Sequence, residues 1–320
     1  MQQFVIGKNE AGQRFDRDLK KLLGRAPDSF LYKMLRKKNI TLNGKKAGGA
    51  EQLSVGDEVR LFFSDETFEK FSSPSVHALS PVRELPFPVV YEDTDILIVN
   101  KPSGMLSQKA APDDLSANEY IISYLLGKEE LTEKMLCTFR PSVCNRLDRN
   151  TSGLLAAGKT LRGLQELSEA FRERAIRKYY RCIVKGEAGE TVHIKGWLVK
   201  DEKTNRVQIF PENPHNLSAQ EIETEYRPVR VENGYSELEV HLITGRTHQI
   251  RAHLASDGHP VIGDSKYGDR EENGIFLREA GIRFQLLHAC RMEFADGRVV
   301  AADCGEEFFR AWELICRREK

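Results

Sequence analysis

The pattern of apolar and polar residues near the N-terminus predicts two amphipathic helices followed by a hairpin. In the first helix the apolar positions recur at i, i+4, i+7 and i+8, namely Phe15, Leu19, Leu22 and Leu23. Asp28 or Ser29 can cap the second helix, whose inward positions are Phe30, Leu31, Met34 and Leu35. Alternation over 40–46 ends in an Asn-Gly turn, and the segment 53–61 supplies a second turn and strand.

The remainder of the chain predicts a larger domain of mixed helices and strands. Residues 64–88 are rich in serine and proline, a composition that is typical of a linker. Beyond them we predict a hairpin over 89–100, a helix over 118–126 and a helix capped by Thr160. Thr247 is expected to cap another helix, which Gly258 would end. Strands are expected at about 179–185, 193–199, 205–210, 223–231 and 235–242. Because no regular βαβ repeat occurs, the pattern favours the α+β class.

The distribution of charge changes this picture more than the overall composition does. The 320 residues include 48 basic and 48 acidic side chains, so the net charge gives no argument for a polyanionic partner. Between Arg14 and Lys46, however, eleven Lys or Arg occur with three Asp, and between Arg146 and Arg181 nine occur with four acids. Two basic stretches in an otherwise neutral chain indicate a face that binds nucleic acid.

Cysteine spacing and hydropathy bear on the expected location of the protein. The six cysteines are far apart and form no C-x-x-C pair, so we expect them to be reduced. The N-terminal residues show no basic leader followed by an apolar run, and no apolar run approaches the roughly 18 residues of a membrane span. These observations predict a soluble, cytoplasmic protein with no membrane partner.

The strongest candidate for chemistry is Asp148, which stands between Arg146 and Arg149 just before a polar turn and an apolar segment. A carboxylate beside guanidinium groups is favoured in its ionised form, and an ionised Asp can act as a nucleophile. The flanking arginines can at the same time bind a polyanion. The loop therefore combines a reactive carboxylate with a means of holding RNA or DNA.

Five segments together resemble the signatures of the RluA family of RNA pseudouridine synthases. They follow the family order: N-K-P-S-G at 100–104, N-R-L-D-R-N-T-S-G-L-L at 145–155, R-K-Y-Y-R-C-I-V-K-G at 177–186, T-G-R-T-H-Q-I-R-A-H-L at 244–254 with G-H-P and G-D-S-K-Y-G after it, and L-H-A at 287–289. The chain is identified as a member of this family on the number and order of these matches. The resemblance extends from about residue 89 to about residue 295.

The resemblance implies an α+β pseudouridine synthase fold, with a mixed, largely antiparallel sheet, flanking helices and a central cleft. It assigns residues 89–320 to this catalytic domain and residues 64–88 to a linker. Residues 13–63 resemble the S4 RNA-binding domain, a small α/β module, although Phe15 stands where Leu is usual. The reaction implied is the isomerisation of uridine to pseudouridine in RNA. No cofactor is expected, because the reaction changes no oxidation state and the chain has neither a Walker loop nor G-x-G-x-x-G.

The resemblance also assigns roles within the expected site. Asp148 matches the catalytic aspartate, which can attack C1′ or C6 or remove a sugar proton; the sequence does not choose among these routes. Arg251 matches the basic residue that pairs with it. Tyr180 matches the active-site tyrosine, which can stack on uracil and help to take the C5 proton; its neighbour Tyr179 should face the other way. Arg146 matches the arginine that fills the gap when the nucleotide flips out.

Other basic residues are expected to bind RNA without taking part in the chemistry. Lys101, Arg149, Arg246 and Lys266 are candidate phosphate contacts near the site. In the S4-like module the expected contacts lie on or just beyond the outer surface of the second helix: Lys33, Arg36, Lys37 and Lys38.

Two departures from the family motif are expected to leave activity intact. Asn145 replaces the usual His but keeps hydrogen-bonding ability. Asn150 replaces the usual Asp, which makes the loop more positive and is expected to bear on substrate preference. A metal site is not predicted, because His248 and His253 are spaced i,i+5 and lie off a common helical face, and no H-E-x-x-H occurs.

We considered three classes of function for this sequence. The leading hypothesis is an Asp-dependent, base-flipping isomerase that acts on structured RNA. Large-subunit ribosomal RNA is the preferred substrate and transfer RNA the alternative, since S4-bearing members of the family usually modify the former. A noncatalytic RNA-binding or ribosome-assembly factor would not need Asp148, Tyr180 and Arg251 together. A glycoside or nucleoside hydrolase would ordinarily need a second carboxylate near Asp148. No obligate protein partner is evident, and a monomer is expected.

Overall fold

The computed structural model describes residues 1–7, 10–72, 80–111, 113–136, 138–215 and 218–318. Cys137, one of the cysteines expected to be reduced, lies outside these residues. The other five are free thiols: Cys144, Cys182, Cys290, Cys304 and Cys316. Among the described helices, none is both long enough and apolar enough to cross a membrane.

The N-terminal module packs two helices and a four-stranded antiparallel sheet around one apolar core. The helices are α1 (Phe15–Leu22) and α2 (Asp28–Arg36), and the strands are β1 (Gln2–Val5), β2 (Ile40–Leu42), β3 (Lys45–Lys46) and β4 (Glu58–Leu61). The strand order is β1-β4-β2-β3. The apolar residues predicted for α1 are all buried, because their spacing places them on one face. The predicted cap of α2 is wrong, because Pro27 takes the N-cap position and no side chain caps the helix.

Part of the expected linker folds onto this module. Residues Asp65–Phe71 form helix α3, whose start is capped by the Ser64 hydroxyl accepting from the Thr67 amide. The rings of Phe68 and Phe71 pack against the N-terminal core. At the other end of the same segment, Phe87 is buried in the core of the larger domain. The serine and proline content gave no sign of these three aromatic contacts.

Within the residues that the structure describes, the larger domain is built on an eleven-stranded sheet. Its strands are β5 (Val89–Glu92), β6 (Ile96–Lys101), β7 (Ser142–Val143), β8 (Ser152–Gly158), β9 (Arg177–Lys185), β10 (Val192–Asp201), β11 (Arg206–Phe210), β12 (Gln220–Glu232), β13 (Tyr235–Leu242), β14 (Leu287–Glu293) and β15 (Val299–Ala301). The main order is β11-β10-β12-β13-β9-β14-β8-β6-β5, with β15 beside β14 and β7 beside β8. Of the pairings between described strands, only β14 with β8 is parallel. The predicted mixed, largely antiparallel sheet is therefore confirmed.

Six helices flank this sheet within the described residues: α4 (Ala117–Gly127), α5 (Glu133–Leu136), α6 (Leu161–Arg172), α7 (Gln249–Ser256), α8 (Arg270–Ala280) and α9 (Glu306–Arg317). Thr160 caps α6 as predicted, since its side chain accepts from the Gly163 amide. The cap predicted for α7 is wrong by one residue, because His248 occupies that position. Gly258 follows the end of α7 with φ of 84°, which is the conformation that a terminating glycine takes.

Strand β14 gives the fold its functional geometry. It inserts between β8, which follows the Asp148 loop, and β9, which carries Tyr180. Ala289 lies opposite both Gly153 and Tyr180 in the ladder. A Cβ on Gly153 would lie 2.3 Å from the Ala289 carbonyl oxygen, so the close approach of β8 and β14 requires glycine there. Because of this packing, the Asp148 loop and Tyr180 lie on neighbouring parts of one sheet.

Candidate active site

The loop that carries Asp148 is held through its backbone. The Ser107 hydroxyl accepts from the Leu147 amide at 3.0 Å and donates to the Leu147 carbonyl at 2.9 Å. On the other side, the Thr151 amide donates to the Asp148 carbonyl at 3.1 Å. The Asp148 side chain is 26% exposed, in contrast to the buried groups around it. The loop therefore presents its carboxylate to solvent from a fixed backbone.

Lys101 has a different environment from the one predicted. Its side chain is fully buried, and its ammonium donates to the carbonyl oxygens of Pro102, Met105 and Arg149 at 2.9, 2.8 and 3.2 Å. Burial lowers the pKa of this ammonium to about 7, against the opposing effect of the Asp148 charge. The prediction that Lys101 contacts phosphate is wrong, because RNA cannot reach it. It instead joins the 100–104 turn to the Asp148 loop.

Arg251 pairs with Asp148, and a second carboxylate fixes the position of Arg251. The Nη1 atom of Arg251 donates to the Asp148 Oδ2 at 2.7 Å. Its Nε and Nη2 donate to the two carboxylate oxygens of Asp264, each at 2.7 Å. The two-point bond to Asp264 sets the plane of the guanidinium and leaves Nη1 directed at Asp148. The contacts with Asp264 therefore fix the orientation of Arg251.

Asp264 was not predicted as a site residue, although it stands in the G-D-S-K-Y-G segment. Its side chain is fully buried and also accepts from the amides of Lys266 and Tyr267 at 2.8 and 3.1 Å. Burial alone would raise the pKa of this carboxyl, but the hydrogen bonds and charge of Arg251 outweigh burial and the pKa is lowered. Asp264 is therefore ionised at neutral pH. The signal in the sequence that could have identified Asp264 was an acidic residue next to a glycine in a turn.

Tyr180 lies within the core beside the site, and Tyr179 points away from it. Tyr180 is buried, and burial followed by the nearby Asp148 charge raises the pKa of its phenol. The phenol is therefore neutral at physiological pH. Tyr179 stacks on His241 with ring centroids 4.8 Å apart and lies under the Arg291 guanidinium. The opposite orientations follow from strand alternation, as predicted.

Asn145, where the family usually has His, supports the neighbouring strand. Its amide nitrogen donates to the Leu154 carbonyl at 3.2 Å, and its amide oxygen accepts from the Ala156 amide at 2.8 Å. Both partners belong to β8, so the side chain acts as a short extension of the sheet. This contact explains structurally why an amide is accommodated at the start of the motif.

The basic residues predicted for RNA contact differ in how available they are. Arg146 and Arg246 are exposed, and the exposed Arg149 donates its Nε to the Gly104 carbonyl at 3.1 Å. Lys266 is half-buried and donates to the Asn205 carbonyl at 2.5 Å. The four cations predicted for the N-terminal module are all exposed: Lys33, Arg36, Lys37 and Lys38. Across the described part of the chain, no three His, Cys, Asp or Glu side chains are grouped so as to hold a metal ion.

Comparison with solved structures identifies the fold. The human protein RNA Pseudouridylate Synthase Domain Containing 4 matches 72% of this chain and 94% of its own length, with a TM-score of 0.57 and 20% identity. Human RNA Pseudouridylate Synthase Domain Containing 1 matches 71% of this chain and 86% of its own, with a TM-score of 0.52 and 24% identity. The larger domain therefore has the fold of the pseudouridine synthases.

Sequence comparison identifies the family. A family model described as RNA pseudouridylate synthase matches residues 95–256. Ribosomal large subunit pseudouridine synthase C of Vibrio cholerae is 33% identical over 295 residues, covering 91% of this chain and 88% of that protein. The Escherichia coli K12 protein of the same name is 31% identical over 299 residues, covering 91% and 87%. The chain belongs to the RluA family of RNA pseudouridine synthases, and its reaction is the isomerisation of uridine in RNA.

Proposed function

We propose that this enzyme converts uridine to pseudouridine in large-subunit ribosomal RNA. The names of the two bacterial relatives state this substrate, and their alignment covers nine tenths of the present chain. Transfer RNA is the alternative substrate. An enzyme that modifies ribosomal RNA works where ribosomes are assembled, so we place it in the cytoplasm. We propose that it acts as a monomer without a cofactor.

The observation that carries the proposed mechanism is the chain of charges from Asp148 through Arg251 to Asp264. The guanidinium bonds one carboxylate oxygen of Asp148, and the side chain, which is 26% exposed, can offer its other oxygen to substrate. In our proposal Asp148 is the catalytic group, acting on C1′ or C6 or on a sugar proton. Arg251 contacts Asp148 directly, and Asp264 acts as a positioning residue through Arg251.

We assign Tyr180 to the uracil ring. Its neutral phenol suits stacking and a hydrogen-bonding hydroxyl better than it suits a phenolate base, because burial raises its pKa. When C5 has been joined to C1′, the C5 proton must leave, and the phenol oxygen can relay it. In this proposal Tyr180 supports the uracil both before and after it turns from N1 to C5 attachment.

We propose that the target nucleotide flips out of the folded RNA to reach Asp148. Unstacking a base requires a few kcal/mol, which new contacts must offset. Arg146 is exposed two residues before Asp148, so its planar guanidinium can fill the vacated stack and bind phosphate. Arg149, Arg246 and Lys266 are then the candidate phosphate contacts around the flipped nucleotide.

We further propose that the N-terminal module is an S4-like domain that captures structured RNA at a distance from the site. Its order of helix, helix and hairpin and its exposed cations on α2 support this assignment. The contacts predicted for it are Lys33, Arg36, Lys37 and Lys38. A second binding surface on one chain raises affinity by holding the RNA near the catalytic domain.

The test is release of tritium from [5-³H]uridine-labelled RNA, with ribosomal and transfer RNA assayed separately. We expect wild type to release tritium from large-subunit ribosomal RNA and Asp148→Asn to release none while it still binds that RNA. Asp296→Asn, in an exposed turn, is the matched control and should behave as wild type.

Other outcomes would reject parts of the proposal. Release from transfer RNA alone would replace the substrate. Free uracil among the products would indicate a hydrolase, and RNA binding without release by wild type would favour an assembly factor. Release by Asp148→Asn as well would show that another group performs the chemistry.

A further inference from the structure

His248 adopts a backbone conformation that few residues with side chains take. It lies at the N-terminus of α7 with φ of 54° and ψ of 15°, in the left-handed region, and only 9% of the residue is exposed. A non-glycine residue whose backbone is held in this region is strained, and such strain is concentrated at functional sites. The contacts of its imidazole ring therefore need an explanation beyond helix capping, because the side chain makes no capping hydrogen bond.

The hydrogen bonds of Tyr267 bear on the tautomer of His248. The Tyr267 hydroxyl oxygen accepts from the Val207 amide at 2.8 Å and lies 3.0 Å from the His248 Nδ1. Nδ1 of a neutral imidazole can accept the phenol proton at this distance. When the phenol donates to Nδ1, the proton of the neutral imidazole resides on Nε2, and this is the tautomer on which the inference rests. No described residue forms a hydrogen bond with Nε2.

The surroundings keep this imidazole neutral. Burial lowers the pKa of His248 to about 4, and the charges that act on it come from Asp148, Arg251, Lys266 and Asp264. These groups belong to the Asp148 loop, to α7 and to the turn after it. In this tautomer His248 is a neutral N–H donor within the electrostatic field of the Asp148 carboxylate.

We propose that His248 is a further catalytic residue, whose Nε2–H donates to a carbonyl oxygen of the uracil as negative charge develops on the base. This inference rests on the proposed chemistry of Asp148. It applies to each of the three routes left open for Asp148. Attack on C1′ breaks the N1–C1′ bond and leaves its electron pair on uracil. Removal of a sugar proton forms a C1′–C2′ double bond and also leaves the N1–C1′ electron pair on uracil. Attack on C6 likewise moves electrons onto O4. His248 keeps its proton throughout and supplies only a hydrogen bond.

A fixed donor aimed at developing charge lowers the barrier more than it stabilises the bound substrate. Loss of one such donor typically lowers kcat by about 100-fold or more. A neutral imidazole suits this task because it does not transfer its proton to the weakly basic oxygen. We therefore expect variants of His248 to change the rate of the chemical step and to leave RNA affinity close to that of wild type.

The test compares two conservative variants in single-turnover tritium release. Asn tolerates the left-handed conformation, but its shorter amide cannot reach the Nε2 position; Gln places an N–H close to it. We expect His248→Asn to lose about 100-fold in rate and His248→Gln to recover at least about 10-fold of that loss. His241→Ala, whose ring stacks on Tyr179, is the matched control and should retain the wild-type rate.

Three measurements complete the test. Dissociation constants for the RNA should stay within about threefold across the variants. The wild-type rate should show no ionisation of an imidazole between about pH 5.5 and 9. Tyr267→Phe should also slow the reaction, because it frees Nδ1 to take the proton. This last variant tests the tautomer even if a substitution at His248 fails to fold.

Some results would overturn the inference without touching the proposed function. Full activity of His248→Asn would show a purely structural role. The same conclusion would follow if the Asn and Gln variants lost equal amounts of rate, in proportion to their loss of stability. Inactivity of wild type on ribosomal RNA would instead reject the proposed substrate.

Discussion

Replacing Asp264 by Asn removes the charge that fixes Arg251 while changing the volume of the side chain little. The carboxylate is fully buried and receives two 2.7 Å hydrogen bonds from Arg251. An amide can accept at one oxygen only, so at least one charged hydrogen bond is lost and an NH₂ group faces the guanidinium. The Asp148 carboxylate then becomes the single negative partner of Arg251.

The expected size of the effect follows from these contacts. Each hydrogen bond to a charged group contributes about 1.5–3 kcal/mol, and breaking a buried ion pair by removing one partner costs about 3–5 kcal/mol. Because Arg251 keeps its bond to Asp148, we expect a loss near 3 kcal/mol in the free energy of unfolding. We also expect the rate of isomerisation to fall at least about 10-fold, since the direction of Nη1 toward Asp148 is no longer fixed.

Two measurements check this expectation. Urea denaturation gives the free energy of unfolding, and single-turnover tritium release at a temperature where the variant is folded gives the rate. Asp269→Asn is the matched control. Asp269 lies five residues further along and pairs with the half-exposed Lys185 at 2.8 Å. A surface pair contributes about 0–1 kcal/mol, so the control should differ little from wild type in either measurement.

The reasoning would be refuted by an Asp264→Asn variant that is within about 1 kcal/mol of wild type and fully active. That result would mean that Asp148 alone positions Arg251. A stability loss without a change in rate would assign Asp264 to the fold and remove it from the catalytic arrangement.

Three further predictions follow from buried groups in the larger domain. Lys101→Met leaves three carbonyl oxygens without their donor, so it should lower the free energy of unfolding in urea by about 3 kcal/mol and slow tritium release. Unchanged values would contradict the role of Lys101 in joining the 100–104 turn to the Asp148 loop. Gly153→Ala should cost more than about 3 kcal/mol or prevent folding, since its Cβ would lie 2.3 Å from the Ala289 carbonyl oxygen; a wild-type melting temperature would be inconsistent with the sheet order. Burial lowers the pKa values of His253 and His288 to about 4, so the unfolded chain binds more protons than the native one between about pH 6.5 and 4. Stability should therefore fall by up to about 1.4 kcal/mol per pH unit for each ring as pH decreases through that window, and urea midpoints that do not change with pH would oppose this.

The sequence by itself determined the family, the class of fold and the elements with a clear local period. The stripe of Phe15 and Leu19 and the alternation of Tyr179 and Tyr180 need only the geometry of one helix or strand. Turns such as Asn43-Gly44, both with positive φ, are also local, because the residue types themselves permit the conformation. The order of the motifs along the chain also indicated the reaction, since each signature is a contiguous run of residues that can be read from the sequence.

Only the tertiary structure decided which of these residues meet and how they are charged. Arg251 and Asp148 are separated by 103 positions, and their contact depends on the order of strands between them. The insertion of β14 beside β8, the role of Asp264 and the burial of Lys101 likewise had no local period to reveal them. A lysine in a motif of an RNA-modifying family predicts a phosphate contact, but burial in the fold removes the ammonium of Lys101 from water. Burial and long-range pairing are properties of the packed chain, so they fix the protonation states that the sequence leaves open.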